Sequence, residues 1–375
     1  MIHPGLNLIF LVPGETGGME VAARALIPAL RDAAPGVRFT AFVNREAAGE
    51  DFGVESVVVP VAAANRLEWV RGEQQLLPGL ARRTGCDLVH SLASTAPAHG
   101  RFARVVTIHD LNYLVVPDAH FGVRGLGMRV LVPLAARTAH RVIADSESTR
   151  DDLVERLGVP AGRIDVVPLG LGQPAGAAPT PEAELRERLA LGDRAVVLAL
   201  SAKRPHKNLA GLLDALAVIP PERRPVAVLP GYPTPYETEL RVHADRAGVA
   251  ADVRWLGWTP EADVEGLFAL AGAFVVPSLY EGFGLPVLEA MARGVPVACS
   301  DRASLPEVAG DAALLFDPER PEQIAAAIER LLGDPAEAAR LREAGRARAA
   351  RFTWARTAGL TLASYERALA AAPPP

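Results

Sequence analysis

The chain alternates short apolar segments with helical patterns, breaks off, and then does the same again. In the first half the apolar segments are Asn7–Val12, Arg38–Val43, Ser56–Val59, Asp87–Leu92, Val105–Ile108, Arg141–Asp145 and Ile164–Val167. Segments of this length, each followed by a helical pattern, predict βαβ units and a parallel sheet covered by helices on both faces. From Gly170 to Thr180 the sequence is rich in Gly, Pro and Ala and carries no hydrophobic period, which marks a linker. The pattern restarts with strands at Ala195–Leu200, Pro225–Leu229, Val253–Leu256, Ala273–Pro277, Val295–Cys299 and Ala313–Phe316. Helices are expected at Leu209–Val218, Tyr236–Ala247, Ala262–Ala271, Pro286–Arg293, Pro321–Leu332, Ala336–Ala350 and Trp354–Leu369. With 375 residues, each half is large enough to bury its own core. The halves share an architecture but no residue-level repeat.

Composition narrows the partners. Half the residues are apolar and 22% are charged, as in a globular protein. A formal net charge of −5 argues against nucleic acid, whose phosphates need a basic surface. Cys86 and Cys299 lie far apart with neither metal-ligand nor redox spacing, so both are expected to be buried small residues in a reducing compartment. The first twenty residues lack a charged region followed by an apolar one, and no apolar run approaches membrane-spanning length. A soluble, cytoplasmic protein is the expectation.

The densest chemistry lies between Val275 and Pro318. After the apolar strand Ala273–Pro277 come Glu281, Gly282-Phe283-Gly284, and then Glu289. Pro286 suits the first turn of a helix, so Glu281 falls in the loop leaving the strand and Glu289 on the helix itself. Gly282 and Gly284 permit close backbone approach. A helix N-terminus beside such a loop suits a phosphate, and the two carboxylates can accept hydrogen bonds from ribose and sugar hydroxyls. That is the layout of a nucleotide-sugar site.

At these residues the chain resembles the retaining glycosyltransferases of family 4. Their hallmark is two glutamates separated by seven residues on a GT-B architecture, two Rossmann-like doubly wound parallel-sheet domains facing across a cleft. The likeness is carried by PSLYEGFGLP, LEAMARGVPV and SLPEVAGDAALL, and extends over nearly the whole chain. It implies an N-terminal acceptor-binding domain over residues 1–172 and a C-terminal nucleotide-sugar domain over 181–352, with a helix at 353–370 packing back on the first. It implies that Glu289 receives the ribose hydroxyls and Glu281 those of the donor sugar. The amides of Phe283, Gly284 and Leu285, with Gly282 beside them, would hold sugar and diphosphate.

Other candidates lie at the ends of strands. Ser201 to Asn208 follows a strand and carries Lys203, Arg204 and Lys207; basic groups there would neutralise a leaving diphosphate. The resemblance assigns that role to Lys207, with an arginine ahead of it, and leaves open whether Lys203 or Arg204 joins it. Near the N-terminus, Pro13-Gly14-Glu15-Thr16-Gly17-Gly18 is not the dinucleotide fingerprint, yet it can admit a ligand against the backbone. The family places the equivalents of Gly17 and Gly18 near the diphosphate and acceptor. His109, at the end of Val105–Ile108, matches the family histidine near the transferred sugar, and Asp110 is placed either to orient it or to cap the next turn. Ser146-Glu147-Ser148 also follows the family pattern, and equally suits a helix cap.

Between Ala119 and Ala144 there is no acidic residue, while Arg124, Arg129, Arg137 and Arg141 are basic and Leu126, Val130 and Leu134 share a helical face. Such a segment can rest on an anionic membrane, or it is a core-facing helix with solvated arginines. No residues have metal-ligand spacing, and the D-x-D element that holds a divalent ion in the other glycosyltransferase architecture is missing from the sequence. The resulting expectation is a retaining, metal-independent glycosyltransferase without a cofactor. Its donor would be a nucleotide-sugar, GDP-mannose-like, and its acceptor a lipid-linked sugar, a polysaccharide or a metabolite. Peripheral membrane contact is compatible with this, and nucleic acid is excluded as a partner. The rival readings are a sugar-nucleotide epimerase of similar architecture and a non-catalytic sugar-nucleotide scaffold.

Overall fold

The structure is a computed structural model. It describes residues 2–116, 123–172 and 177–372, and only the backbone of 123–126. The middle of the expected linker, 173–176, and the residues around Pro117–Gly122 lie outside the described residues. The chain divides into two compact units, Met1–Leu114 with His120–Gly172 and Phe352–Pro375, and Val115–Ala119 with Gln173–Arg351.

The first unit contains β1 (Pro4–Leu8), β2 (Thr40–Val43), β3 (Glu55–Val58), β4 (Leu88–Ser91), β5 (Ala103–Ile108), β6 (Arg141–Ala144) and β7 (Ile164–Val166). They form one sheet in the order β3-β2-β1-β4-β5-β6-β7, and every pairing is parallel. The second unit contains β8 (Val196–Leu198), β9 (Val226–Leu229), β10 (Val253–Trp255), β11 (Ala273–Val276), β12 (Val297–Ser300) and β13 (Ala313–Phe316), in the order β10-β9-β8-β11-β12-β13. Its pairings are parallel as well. The inner strands are largely apolar and buried because helices cover both faces of a parallel sheet. Strand order reverses between β1 and β4 in one sheet and between β8 and β11 in the other. These are the positions where an open α/β sheet leaves a crevice at its carboxyl edge.

The expected second-half helices form within two residues of their anticipated ends, as with Leu209–Val218 and Pro321–Gly333. The first strand differs: it was expected at Asn7–Val12 and runs Pro4–Leu8. The chain turns after Leu8, with Leu11 N donating to Leu8 O at 3.0 Å, and Asn44 holds the carbonyls of Ile9 and Leu11 at 2.9 and 2.7 Å. Ile9 and Leu11 are fully buried in this turn, so their apolar character reported burial rather than strand.

Helix Trp354–Ala371 packs in the first unit against helix Gly18–Ala33 and strands β4, β5 and β6. Its Tyr365 is fully buried and bonds His90 Nδ1 at 2.8 Å. The basic stretch forms helix Val123–Thr138, whose Val132, Ala135 and Ala136 enter the core while Val130 and Leu134 stay exposed. Arg141 belongs to β6 rather than to this helix, and it is ion-paired with Asp165. The side chains of Arg124 and Leu126 lie outside the described residues. Ser146 caps helix Glu147–Leu157, accepting from Thr149 N at 3.0 Å. Both cysteines are free and buried, and burial pushes the Cys299 thiol up to about 12.

Candidate donor site and the first-unit histidine

In the second unit the loops after β8 and β11 meet at the carboxyl edge. After β8 the chain forms a 3-10 turn, Pro205–Lys207, then passes through Asn208 at a left-handed φ of 51° into helix Leu209–Val218. Asn208 holds this corner by capping Gly211 N at 3.3 Å and donating to Pro318 O at 2.8 Å. The turn presents Lys207 to the β11 loop, where its Nζ donates to both oxygens of Glu281, at 2.7 and 2.8 Å. Ser278 Oγ donates to the same carboxylate at 2.7 Å. Burial alone would raise the Glu281 pKa, but the Lys207 charge and these hydrogen bonds outweigh it and hold the carboxyl below its usual range.

The loop carrying Glu281 is shaped from behind. The fully buried Ser304 hydroxyl is shared between the carbonyls of Glu281, at 2.9 Å, and Phe283, at 2.7 Å. Gly284 has φ of 108°, a conformation that favours glycine, and a Cβ there would also displace the end of the Leu305 side chain, 2.8 Å away. Helix Leu285–Ala292 begins immediately, with Pro286 in its first turn.

Glu289 lies on the second turn of that helix and is half-buried. Arg293, the nearest cation on its own element, is engaged elsewhere. Its Nε reaches both oxygens of Glu265, at 3.1 and 2.9 Å, and its guanidinium lies 4.6 Å over the Phe268 ring. Arg293 Nη1 donates to the Glu289 main-chain carbonyl at 3.1 Å, but the Glu289 carboxylate accepts no hydrogen bond from a described side chain. Burial pushes its pKa up, opposed by Arg293 and reinforced by Glu265. A carboxylate in this condition is a ready acceptor for hydroxyls.

Of the two basic residues left open by the sequence, Lys203 is taken up by the fold. It is fully buried, and its Nζ donates to the carbonyls of Leu229, Gly231 and Leu256 at 2.9, 2.7 and 2.6 Å. All three ammonium donors are thus occupied, and burial lowers its pKa to about 8. Lys203 ties the ends of β9 and β10 together and has nothing left for a diphosphate. Arg204 is half-buried, with no ion pair to a described residue.

In the first unit the glycine loop follows β1. Thr16 Oγ1 accepts from Val12 N at 2.7 Å and donates to Val12 O at 2.9 Å. Glu20 accepts from Gly14 N at 2.9 Å and is itself held by Arg24. Gly17 caps helix Gly18–Ala33 with φ of 63°. A Cβ on Gly17 or Gly18 would meet nothing within 4 Å, so packing within the unit does not demand Gly18. The backbone there is open to a ligand.

His109 follows β5, and both its ring nitrogens are engaged. Nδ1 lies 2.6 Å from Asp145 Oδ2, and Nε2 lies 2.8 Å from the carbonyl of Leu92. Asp110 does not orient the ring; its Oδ1 accepts from Asn112 N at 3.1 Å, the capping alternative. Burial would depress the imidazole, but the Asp145 carboxylate, the two hydrogen bonds and the Asp110 charge raise it to about 9. Nearby, Glu73 on the π-helical turn Gly72–Leu76 is 1% exposed. Its Oε1 accepts from Asn7 at 3.0 Å and from Thr95 at 2.9 Å, while Oε2 has no hydrogen-bond partner among the described residues. Burial pushes this acid up to about 7 despite those hydrogen bonds.

Sequence reasoning passed over Asp145, Ser278, Ser304 and Glu73. Ser304 lies in the SLPEVAG run and Asp145 directly precedes Ser146, but neither position announces a partner so distant in the chain. Among the described residues no group of His, Cys, Asp and Glu could hold a metal ion, and no helix is long and apolar enough to cross a membrane.

Residues 181–348 match the family profile "Glycosyl transferases group 1", and residues 16–171 match "Glycosyltransferase Family 4". The chain is 34% identical over 268 residues to O-antigen chain mannosyltransferase B of Escherichia coli, covering 70% of each protein. It is 32% identical over 286 residues to the GDP-mannose-dependent alpha-(1-6)-phosphatidylinositol monomannoside mannosyltransferase of Mycolicibacterium smegmatis, covering 72% of this chain and 68% of the relative. In fold it is similar to the sucrose-phosphate synthase of Thermosynechococcus elongatus, with a TM-score of 0.78 and 23% identity, over 99% of this chain and 100% of that one.

Proposed function

The chain belongs to glycosyltransferase family 4, with the GT-B fold, and from that premise we propose that it is a retaining, metal-independent hexosyltransferase using GDP-mannose as donor. Glycosyl transfer itself follows from membership and from the mannosyltransferase relatives. The donor reading is supported by the relative that is named for GDP-mannose. The acceptor is a hydroxyl on a lipid-linked sugar, a polysaccharide or a metabolite.

One observation carries the reading: at a single switch point, an unengaged carboxylate, Glu289, accompanies a lysine–carboxylate pair, Lys207 and Glu281. Glu289 takes the ribose hydroxyls. Lys207 turns from Glu281 to the diphosphate, Arg204 joins it, and the sugar hydroxyls replace the lysine on Glu281. The backbone of Gly282, Phe283, Gly284 and Leu285 lines the sugar and phosphates. Gly17, Gly18 and His109 serve the same reaction from the first unit. Charge on the departing diphosphate is met by Lys207 and Arg204 without a cofactor. The protein works in the cytoplasm, and helix Val123–Thr138, with Val130 and Leu134 exposed, is its contact with an anionic membrane face.

The test is a thermal-shift panel of nucleoside diphosphates and their sugars, since a ligand at a hundred times its Kd stabilises by about 2.7 kcal/mol. Transfer to candidate acceptors then follows in the presence of EDTA, with the anomeric configuration of the product read by NMR. GDP and GDP-mannose should give the largest shifts, and the product should be the α-mannoside. Preference for a uridine nucleotide, an inverted product, or activity lost in chelator and restored by Mg²⁺ would each overturn the corresponding part.

A further inference from the structure

We propose that Asp145 is a positioning residue that holds His109 as an imidazolium donating from both nitrogens, so that His109 enters the reaction as a fixed positive charge and not as a base. The inference rests on the glycosyltransferase reading for its consequence, but on geometry for its substance. The carbonyl of Leu92 can only accept, so Nε2, 2.8 Å away, carries a proton. Asp145 Oδ2, 2.6 Å from Nδ1, belongs to a side chain that is 2% exposed and, among the described residues, is ion-paired with this ring alone. A carboxylate in that position demands the second proton on Nδ1.

The surroundings act in the same direction. On the histidine's own loop, Asp110 adds a second negative charge. On β4, His90 is fully buried between Tyr365 and Thr107 and is pushed down to about 3, so it adds no positive charge. From helix Glu147–Leu157, Thr149 Oγ1 donates to the His109 carbonyl at 3.3 Å, which fixes the backbone under the ring. The His109 side chain retains an exposure of 18%.

This determines where the proton travels. Transfer breaks the bond from the sugar C1 to the diphosphate oxygen and forms one from C1 to the acceptor oxygen, and the acceptor hydroxyl must lose its proton. His109 has no vacant lone pair to take it. The departing nucleoside diphosphate gains negative charge as its bond breaks, and one of its oxygens receives the proton.

The deciding experiment is 15N NMR of histidine-labelled wild-type protein, which needs neither substrate nor mutant. At pH 7.5 both His109 nitrogens should be protonated, with a midpoint near 9. A singly protonated His109 at that pH overturns the proposal. Asp145→Asn should bring the midpoint down toward the ordinary histidine range, about 6.5. Its kcat should then fall by about tenfold more at pH 8 than at pH 6, with KM for the donor less affected. An Asp145→Asn profile parallel to wild type would also overturn it. If wild type transfers no sugar from any nucleotide-sugar, the functional reading fails while the NMR result still decides the charge of His109.

Discussion

Lys207 donates to both carboxylate oxygens of Glu281, at 2.7 and 2.8 Å, so two residues with different duties toward the donor form one ion pair without it. The pair is mostly buried, with side-chain exposures of 20% and 13%. Lys207 holds Glu281 in the ionised form that the reaction uses.

Lys207→Ala should therefore do two things. It should reduce kcat by about 10²–10³ with a smaller change in KM, as expected for a group that stabilises charge growing in the transition state. It should also release Glu281 to the effect of burial, raising its pKa, so that residual activity falls as pH drops toward 5 while wild type is unaffected there. Pre-steady-state rates against pH for both proteins check this. In a double-mutant cycle with Glu281→Gln, the coupling should be on the order of 1–3 kcal/mol; strict additivity would mean that the pair does not act as a unit.

The two glutamates should separate by ligand. Glu289→Gln should weaken GDP and GDP-mannose alike, by about 1.5–3 kcal/mol, because the ribose is common to both. Glu281→Gln should leave GDP affinity unchanged or slightly improved, since it frees Lys207, while impairing the intact donor. Calorimetric titration of both ligands into both variants gives four affinities. Equal loss of GDP binding in the two variants would remove Glu281 from the sugar.

Lys203→Met tests the division between the neighbouring lysines. Three carbonyls lose their donor, so the melting temperature should drop, corresponding to about 2–5 kcal/mol. GDP affinity and kcat of the folded fraction should stay within about threefold of wild type, the change expected when no substrate contact is lost. A large fall in kcat without loss of stability would return Lys203 to the diphosphate.

Glu73 should make the first unit sensitive to pH. Its folded pKa of about 7 lies above the ordinary carboxyl value of 4.5, so the folded state holds the proton more tightly. Its contribution is fully present below pH 4.5 and is lost as pH rises through 7. Glu73→Gln keeps the acceptor for Asn7 and Thr95 and removes the ionisation. It should be near neutral at pH 5 and stabilising at pH 8, by up to about 3 kcal/mol. Denaturant unfolding at the two pH values decides; equal effects at both would show that Glu73 does not ionise in this range.

What the sequence determined by itself was whatever depends on neighbours along the chain. Strand and helix alternation follows from apolar periodicity, which is why β13 and helix Leu209–Val218 were legible to the residue. The Glu281–Glu289 spacing and the Pro286 helix start are local, so the loop–helix layout of the site was legible too. Where burial and strand formation part company, as at Ile9 and Leu11, the pattern misled, because a buried turn and a buried strand share an apolar code. Only the tertiary structure decided which lysine is spent on the fold, since Lys203 meets carbonyls from Leu229 to Leu256 and Lys207 meets Glu281, contacts spanning 26 to 74 positions. It likewise decided that Asp145, 36 residues away, and not the adjacent Asp110, holds His109. A parallel sheet brings the ends of strands far apart in the chain onto one edge, and protonation there is set by whichever charges that edge collects, which no local pattern encodes.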